Sequence, residues 1–311
     1  MKVLVTGGAG FIGSHVVDKL IEKEYQVIVV DNLSTGRKKN INPRAKFFKV
    51  DIRDSAELER LFSEEKPSIV IHHAAQTDVT RSMRDPFFDS QVNITGSLNI
   101  ITLSLKYGVK KIIYASTSAV YPEPVYLPVD ERHPIKPLSA YGVTKYAIEH
   151  YLHLYYENYG LRYTAFRYGN VYGPRQDPHG ESGVVAIFSE QMLKGIHPTI
   201  FGDGTKTRDY IHIDDIVEAN ILVTDSAGDG EVFNLGWGKE VTDFEVFDAV
   251  RRAMGIQVEP IYSKKRSGEL DRICLDITKA KSQLNWEPKV SLEDGIPLAV
   301  EYYKKSHVKT Y

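Results

Sequence analysis

The stretch KVLVTGGAGFIGSHVVDKLIE, residues 2–22, joins a short β-branched run to a glycine-rich turn and then to an amphipathic helix pattern. Gly7, Gly10 and Gly13 lie three residues apart in this turn. Glycines at this spacing allow a tight turn and let a pyrophosphate approach the free N–H groups at a helix N-terminus. The stretch therefore predicts the first strand and helix of a dinucleotide-binding unit, although an ordinary strand–helix turn has the same pattern.

The same strand–helix alternation continues through the first half of the chain. Near-continuous apolar runs indicate strands buried on both faces. The stretches between them space their apolar residues three and four apart, as amphipathic helices do. The alternation predicts an α/β fold with a doubly wound parallel sheet, whose ligand crevice lies at the carboxyl ends of the strands. The predicted strands are 2–6, 26–31, 46–51, 68–75, 110–117 and 163–168, and the predicted helices are 11–24, 55–65, 89–108 and 142–160.

Composition limits the classes of function. The 311 residues, 42% apolar and 26% charged, are typical of a globular protein large enough for two lobes. A net charge of −2 provides no field that would attract nucleic acid or an acidic membrane. The single cysteine, Cys274, excludes an internal disulfide and a multi-cysteine metal site, and favours the cytoplasm. We expect neither a signal peptide nor a membrane span.

Acidic residues follow the second and third predicted strands. Asp31 ends the second strand, where a carboxylate can accept both hydroxyls of an adenosine ribose. Its neighbour is Asn32 rather than an arginine that would bind a 2′-phosphate, which favours NAD over NADP. Asp51 and Ile52 close the third strand, where an adenine edge would lie.

The fourth predicted strand ends in His-His-Ala-Ala-Gln, residues 72–76. Ala74 and Ala75 are small enough to leave room for the nicotinamide end of a cofactor, next to Gln76. The two histidines suggest a metal, but adjacent residues on a strand face opposite sides and no third ligand is evident. We therefore expect NAD and no metal.

The pattern changes after about residue 170. Loops rich in Gly, Pro and Asp appear at 173–183, 201–210 and 263–272, with helical patterns at 185–195 and 241–255 between them. We expect residues 1–169 to form an NAD-binding domain, to which segments near 208–236 return. Residues 170–311 are then mostly a smaller α/β lobe that binds the substrate.

The segment SAYGVTK, residues 139–145, carries a tyrosine four residues before a lysine. On a helix, Tyr141 and Lys145 share one face. A free phenol has a pKa of about 10, and a neighbouring ammonium together with an oxidised nicotinamide favours the phenolate. Lowered toward neutral pH, the phenol of Tyr141 would act as a general base. The alternative is a surface aromatic, one of 19 tyrosines.

The glycine turn, YGVTK and the run ASTSAVY (115–121) resemble the extended short-chain dehydrogenase/reductase family. The resemblance includes RYGNVYGPRQ (167–176), FGDGTKTRDYIHIDD (201–215) and NWEPKVSLEDGI (285–296), and so covers nearly the whole chain. Within the family the chain is most similar to the nucleotide-sugar 4-epimerases. This resemblance implies a Rossmann domain with a C-terminal substrate-binding lobe.

The resemblance also implies an isomerase that inverts C4 of a UDP-hexose through a transient 4-keto sugar. Thr117 matches the catalytic Ser or Thr of the family, although Ser116 and Ser118 flank it. Lys145 would also hold the nicotinamide ribose. Further cofactor contacts are implied for Phe11, Ile12, Asn93 and Tyr168.

Residues after Thr117 distinguish the reactions of the family. Dehydratases and decarboxylases carry a carboxylate at one of the next two positions, but this chain has Ser118 and Ala119. The chain also departs from its relatives at VYPEP (120–124), where most continue the tyrosine with glycine. We therefore expect epimerisation, with a dehydratase or reductase and a non-enzymatic NAD-sensing protein as alternatives.

By the same resemblance, Asn170 contacts the phosphates or the sugar, and Arg208 and Arg266 clamp the diphosphate, since a guanidinium suits phosphate oxygens. Arg175 is a weaker candidate. The residue four positions after Glu269, which is Ile273, influences whether N-acetyl sugars fit. The choice among glucose, N-acetylglucosamine and glucuronic acid stays open. Relatives are usually homodimers, which here would pair the helices near 89–108 and 142–160.

Overall fold

A computed structural model describes residues 1–179, 183–225, 227–265 and 270–308. Strands and helices alternate along its first half. The strands are β1 (Lys2–Thr6), β2 (Gln26–Val30), β3 (Lys46–Phe48), β4 (Ile69–His72), β5 (Lys111–Thr117), β6 (Arg162–Tyr168), β7 (Asn170–Tyr172), β8 (Thr199–Phe201), β9 (Thr207–Arg208), β10 (Tyr210–His212), β11 (Glu231–Leu235), β12 (Val241–Thr242) and β13 (Ile261–Ser263). The helices are α1 (Phe11–Glu22), α2 (Ser55–Glu65), α3 (Val79–Arg84), α4 (Pro86–Ser90), α5 (Ser97–Lys106), α6 (Ala140–Tyr159), α7 (Val184–Leu193), α8 (Ile213–Leu222), α9 (Asp243–Met254), α10 (Thr278–Leu284) and α11 (Leu292–Val308).

Seven of these strands form one parallel sheet in the order β11-β6-β5-β4-β1-β2-β3. The chain winds outward from β1 in both directions, so the order reverses between β1 and β4. At such a switch point the loops after the two strands diverge and leave a crevice at their carboxyl ends. This architecture confirms the predicted α/β fold with a doubly wound parallel sheet.

Both faces of the sheet are covered, which explains the continuous apolar strands. Val3 and Val5 of β1 pack on one side with α1, α8 and α10, whereas Leu4 packs on the other side with α2, α5 and α6. Successive side chains of a strand point to opposite faces, so every position of β1 has to be apolar.

Three predicted strands end earlier than their apolar runs suggested. β2, β3 and β4 stop at Val30, Phe48 and His72, so Asp31, Asp51 and the residues after His72 leave the sheet. These polar and small residues lie where the strands open into the crevice. A strand prediction from hydrophobicity extends too far here because the loops are themselves partly buried.

The predicted helix 89–108 is interrupted. It begins earlier, at α4, and passes through a π-helical stretch, Gln91–Gly96, before α5. A π-helical turn rotates the side chains that follow it and is often found near functional sites. Gly96 fits there because a Cβ at this position would lie 2.7 Å from Cδ1 of Ile52.

The second half of the chain builds a separate apolar cluster from α7, α9 and α11. The parallel pair β7–β10 connects this cluster to the large sheet, since β7 follows β6 after one residue and β10 leads into α8. β11 then returns to the sheet edge beside β6. Among the described residues, we find no helix whose length and apolar character would let it traverse a bilayer.

A buried ion pair joins α6 to the sheet. Arg167 of β6 and Glu149 of α6 are each 4% exposed and form two hydrogen bonds, Nε to Oε1 at 3.1 Å and Nη2 to Oε2 at 2.6 Å. Ser116 of β5 donates to the same carboxylate, and Arg167 also donates to the hydroxyl of Tyr121 at 2.9 Å. The ion pair thus joins β5, β6 and α6 below the crevice.

We predict that Glu149→Gln lowers the free energy of unfolding by about 3 kcal/mol, because it leaves the guanidinium of Arg167 buried without a counter-charge. Urea denaturation followed by circular dichroism measures this. The control is Glu301→Gln, which removes an exposed ion pair with Lys305 and should cost less than about 1 kcal/mol. Equal losses in both variants would contradict the assigned role of the buried pair.

Candidate active site

The turn between β1 and α1 presses against the end of β4. Gly7 adopts a φ of +69°, which favours glycine, and a Cβ there would lie 2.7 Å from the backbone nitrogen of Ala74. The N–H of Gly7 donates to the carbonyl of Val30 at 2.8 Å, which holds the turn on the sheet. This close contact places the turn at the switch point.

The N-terminus of α1 opens directly from this turn. Gly10 is its N-cap and has no side chain to occupy the first-turn N–H groups, and Phe11 and Ile12 begin the helix. At Gly13 a Cβ would lie 3.0 Å from the Cα of Gly8, so the helix can approach the turn only with glycine. Free N–H groups at a helix N-terminus suit a phosphate.

Asp31 lies behind the turn, after β2. Its Oδ2 accepts the N–H of Ala9 at 3.0 Å and its Oδ1 accepts that of Leu33 at 2.8 Å, with 7% of the residue exposed. Burial raises the pKa of Asp31, while these two hydrogen bonds lower it. Each oxygen retains a lone pair that can accept a further donor.

Asn32 and Asp51 are in direct contact at the next strand end. Nδ2 of Asn32 donates to Oδ2 of Asp51 at 2.8 Å, and Arg53 donates to both oxygens of Asp51. The hydrogen bonds from Arg53 hold the pKa of Asp51 well below its usual range. Ile52 points inward and is 5% exposed.

The loop after β4 is held by the π-helical stretch. The amide of Asn93 is hydrogen-bonded to both backbone groups of Gln76, since its Oδ1 accepts the N–H at 2.8 Å and its Nδ2 donates to the carbonyl at 3.0 Å. The N–H of Ala74 donates to the hydroxyl of Thr6 at 3.1 Å, and Ala75 lies between these two anchored residues. The path of residues 74–76 along the crevice is therefore fixed.

The two adjacent histidines, His72 at the end of β4 and His73 just after it, have different environments. His72 bridges the hydroxyls of Thr6 and Ser97 at 2.6 and 2.8 Å, and His73 stacks on Tyr168 with its Nε2 at 3.3 Å from the tyrosine hydroxyl. Burial lowers the pKa of both histidines to about 3, so both are neutral. The part of the chain that the structure describes contains no group of three or more His, Cys, Asp or Glu residues placed to hold a metal.

Tyr141 and Thr117 meet above the sheet. Thr117 ends β5, and its hydroxyl lies near enough to the phenol of Tyr141 to lower the pKa of that phenol. The same hydroxyl accepts the N–H of Ala119 at 3.1 Å. Ser139 caps α6 by accepting the N–H of Gly142 at 3.1 Å. A Cβ at Gly142 would lie 2.9 Å from Cβ of Pro137 and would collide with the carbonyl of Ala119, so glycine lets α6 approach Thr117.

Lys145 is buried one helical turn below Tyr141 and is 3% exposed. Its ammonium lies 4.4 Å from the ring centre of Tyr114, a cation–π contact. Burial lowers the pKa of Lys145 to about 7, against the opposing charges of Glu149 and Asp89. Burial likewise raises the pKa of Tyr141 to about 12, although the hydrogen bond from Thr117 lowers it.

These directions correct one expectation from the sequence. The ammonium of Lys145 and an oxidised nicotinamide are expected together to lower the pKa of Tyr141, but in the protein alone desolvation is the largest effect and raises this pKa. Protein groups by themselves therefore keep Tyr141 as a neutral phenol. A further positive charge has to act on the hydroxyl before it can serve as a base at neutral pH.

Two of the predicted substrate residues lie in short strands of the second half of the chain. Asn170 begins β7, and its N–H donates to the carbonyl of Asp209 at 2.6 Å. Arg208 lies in β9 and donates to the carbonyl of Thr207 at 2.8 Å. Arg266 and Glu269 fall outside the described residues.

Ile273 is 3% exposed and lies in an apolar cluster with Val120, Tyr121, Val129 and Leu275. The VYPEP segment contacts the same region, because Oε2 of Glu123 accepts the N–H of Asp271 at 3.1 Å. The departure from the family pattern thus links the loop after β5 to the segment that leads to Ile273. Arg175, the weaker candidate, pairs with Asp18 at 2.7 Å.

Several buried polar residues were missed from the sequence. Glu149 continues the face of Tyr141 and Lys145 by one further helical turn, so extending the four-residue spacing would have found it. Asp209 follows Arg208 and accepts three backbone N–H groups, those of Trp237, Gly238 and Leu275. Burial raises the pKa of Asp209 to about 7, although these bonds lower it. Asp89 and Thr144 have no spacing that distinguishes them.

Comparison with known proteins agrees with this geometry. Residues 3–236 match the model of the NAD dependent epimerase/dehydratase family, which is more than half of the chain. The match includes the glycine turn, the Tyr141 helix and β11.

Similar proteins extend the match to the whole chain. A putative UDP-glucose 4-epimerase of Methanocaldococcus jannaschii is 49% identical over 98% of this chain and 99% of its own length. Two solved structures are also similar over nearly their full lengths. A UDP-glucose 4-epimerase of Thermotoga maritima with UDP-glucose has a TM-score of 0.97 and 51% identity, covering 99% of this chain and 100% of the other. A UDP-glucose 4-epimerase of Thermus thermophilus in complex with NAD has a TM-score of 0.93 and 44% identity, covering 98% and 99%. The chain therefore belongs to the NAD dependent epimerase/dehydratase family.

Proposed function

We propose that the protein is an isomerase that inverts C4 of a UDP-hexose, with UDP-glucose and UDP-galactose as its substrate pair and NAD as its cofactor. The observation that carries the proposal is the close packing of the start of α6 on the loop after β5, which brings Tyr141 near Thr117, with the buried Lys145 one turn along the helix. The full-length similarity to UDP-glucose 4-epimerases at 49% and 51% identity supports the choice of substrate.

The crevice fits NAD by three features. The glycine turn offers free N–H groups beside a contact that no larger residue allows, Asp31 retains acceptor sites, and buried Nδ1 of His73 lacks a hydrogen-bond partner among the described residues. The residues that would hold the pyrophosphate are Gly7, Gly10, Phe11, Ile12 and Gly13; those for the adenosine are Asp31, Asn32, Asp51 and Ile52; and those for the nicotinamide half are Ala74, Ala75, Gln76, Asn93, Tyr141, Lys145 and Tyr168.

Bound NAD⁺ supplies a hydride acceptor and a positive ring whose field favours the phenolate. Tyr141 then takes the proton of the C4 hydroxyl, and the hydroxyl of Thr117 bridges the sugar oxygen and the phenol. Lys145 stabilises the phenolate and contacts the nicotinamide ribose. After the 4-keto sugar has turned its other face, C4 would regain the hydride on the opposite side while Tyr141 returns the proton to the C4 oxygen, and the configuration at C4 is inverted. Ser118 and Ala119 offer no carboxylate for elimination, which favours epimerisation over dehydration.

We assign substrate binding mainly to residues of the second half of the chain. We assign the diphosphate to Arg208 and Arg266, and phosphate or sugar contacts to Asn170. Residues 1–169 with the return segments near 208–236 form the NAD-binding domain in this proposal, and the rest of 170–311 closes over the sugar. Glu269 and Ile273 belong to the region that influences the choice of sugar.

The protein is proposed to act as a cytoplasmic homodimer. Support comes from an exposed apolar stripe on α6, formed by Val143, Tyr151 and Leu154, which are 52%, 38% and 47% exposed. Spacings of eight and three residues put the stripe on one face of the helix. Phe87 of the neighbouring α4 is 82% exposed and is suited to extend it.

We predict that the purified protein interconverts UDP-glucose and UDP-galactose without added NAD. Proton NMR of a panel of UDP-sugars, including the N-acetylglucosamine and glucuronic acid derivatives, measures C4 inversion directly. A stable keto sugar or net redox would instead identify a dehydratase or reductase. Absence of any turnover with NAD bound would favour an NAD-sensing protein.

Tyr141→Phe should lower the turnover at least about a hundredfold, because it removes the proton-transfer group, while NAD stays bound. The matched control is Tyr151→Phe on the outer face of α6, which should retain activity. Full activity of Tyr141→Phe would refute the assigned base.

Asp31→Ala should weaken NAD binding about tenfold or more, since it removes charged acceptors for the ribose hydroxyls. The NAD content of the purified protein, determined after denaturation, measures this. Asp54→Ala removes only the cap of α2 and should leave the content unchanged. Equal NAD content in wild type and Asp31→Ala would count against the ribose contact.

Light scattering should give twice the mass of one chain for the wild type. Leu154→Glu places a charge in the apolar stripe and should yield monomers, whereas Ile261→Glu, at an exposed apolar position of β13, should not. A monomeric wild type would exclude the dimer.

A further inference from the structure

Asp89 of α4 is fully buried between the loop after β4, which carries Gln76, and α6, which carries Tyr141 and Lys145. Its Oδ1 accepts Nε2 of Gln76 at 2.8 Å and Nδ2 of Asn93 at 3.2 Å. Its Oδ2 accepts the hydroxyl of Thr144 at 2.7 Å. One carboxylate therefore connects the loop after β4, the π-helical stretch and α6, in which Thr144 precedes Lys145.

Hydrogen bonding by itself does not require a charge at this position. The hydroxyl of Thr144 also donates to the carbonyl of Tyr141 at 3.0 Å. An asparagine at position 89 could accept from Gln76 and Asn93 and donate to Thr144, leaving the Thr144 hydrogen on the carbonyl. A buried carboxylate is costly unless it is compensated, and no salt bridge within the described ranges includes Asp89. The hydrogen bonds alone therefore do not explain why position 89 carries an acid rather than a neutral amide.

The negative charge of Asp89 acts on Tyr141 and Lys145, the proposed catalytic pair. It raises the pKa of Lys145, against the effect of burial. It also raises the pKa of Tyr141, in the same direction as burial. The other titratable groups that face the pair are Glu149 of α6, which is paired with Arg167 of β6, Tyr114 of β5, and His72 and His73 at the end of β4. Both histidines are neutral, so Asp89 and the partly compensated Glu149 are the acidic influences on Lys145.

We propose that Asp89 is a positioning residue that holds Gln76 and Asn93 against α6 and places a negative charge behind the Tyr141–Lys145 pair. The proposal rests on the proposed epimerisation for its catalytic consequence. Its electrostatic part is independent of the sugar, since it concerns two side chains of this chain. A charge that favours the ammonium of Lys145 preserves the group that stabilises the phenolate.

The test is Asp89→Asn in the NAD-containing enzyme. A negative neighbour disfavours a phenolate and favours an ammonium, so it raises both pKa values, and its removal lowers both. The pH–rate profile of C4 inversion should therefore move to lower pH by about one unit, with NAD content and melting temperature close to wild type. A profile that superimposes on wild type would overturn the proposal.

A second readout does not depend on turnover. The difference in tyrosinate absorbance between a protein and its Tyr141→Phe derivative isolates the titration of Tyr141. This titration should occur at lower pH in Asp89→Asn than in wild type. If wild type showed no epimerisation, the proposed function would fail, yet this titration would still decide the role of Asp89.

Asp215→Asn is the matched control, because Asp215 is a similarly buried carboxylate, 3% exposed, that accepts the N–H groups of Lys289 and Val290 far from the pair in sequence. It should leave both the profile and the tyrosine titration unchanged. If Asp89→Asn does not fold, Asp89→Ser replaces it, since it also lacks the charge and leaves room for water between Gln76 and Thr144. Absence of the acid shift in the folded variant would then refute the role of Asp89.

Discussion

Exclusion of water from one face of α6 governs the chemistry of this protein. Tyr141, Lys145 and Glu149 follow one another at four-residue spacing, and the latter two are 3% and 4% exposed. In such surroundings each charge is costly, so a phenol stays neutral and an ammonium readily loses its proton. The protonation state of each group on this face therefore depends on the charges of its neighbours.

The parallel sheet positions the groups whose protonation states depend on one another. Reversal of strand order between β1 and β4 opens a crevice, and close backbone contacts at Gly7 and Gly142 draw the glycine turn and α6 toward it. A methyl group at either glycine would push these elements apart. The precision of the site thus comes from backbone-to-backbone packing, which places Thr117 within reach of Tyr141.

Buried carboxylates join the segments that would otherwise move independently. Asp89 connects the loop after β4 to α6, and Glu149 connects α6 to β5 and β6. Asp209, just before β10, accepts the N–H groups of Trp237 and Gly238 after β11 and of Leu275 before α10. These three hydrogen bonds hold both segments against β10. Burial raises the pKa of Asp209, and these three N–H groups oppose that effect by stabilising the carboxylate.

The parallel sheet, the glycine turn and the Tyr141–Lys145 pair could be predicted from the sequence, because local periodicity and short spacings determine them. The strand ends and the π-helical interruption of the helix at 89–108 could not, because they depend on contacts such as that of Asn93 with Gln76. Tertiary structure also decided the direction of the pKa of Tyr141, since desolvation depends on how much protein surrounds a group. Local sequence determines which groups are neighbours along the chain, whereas only packing determines how much water and which buried charges surround them.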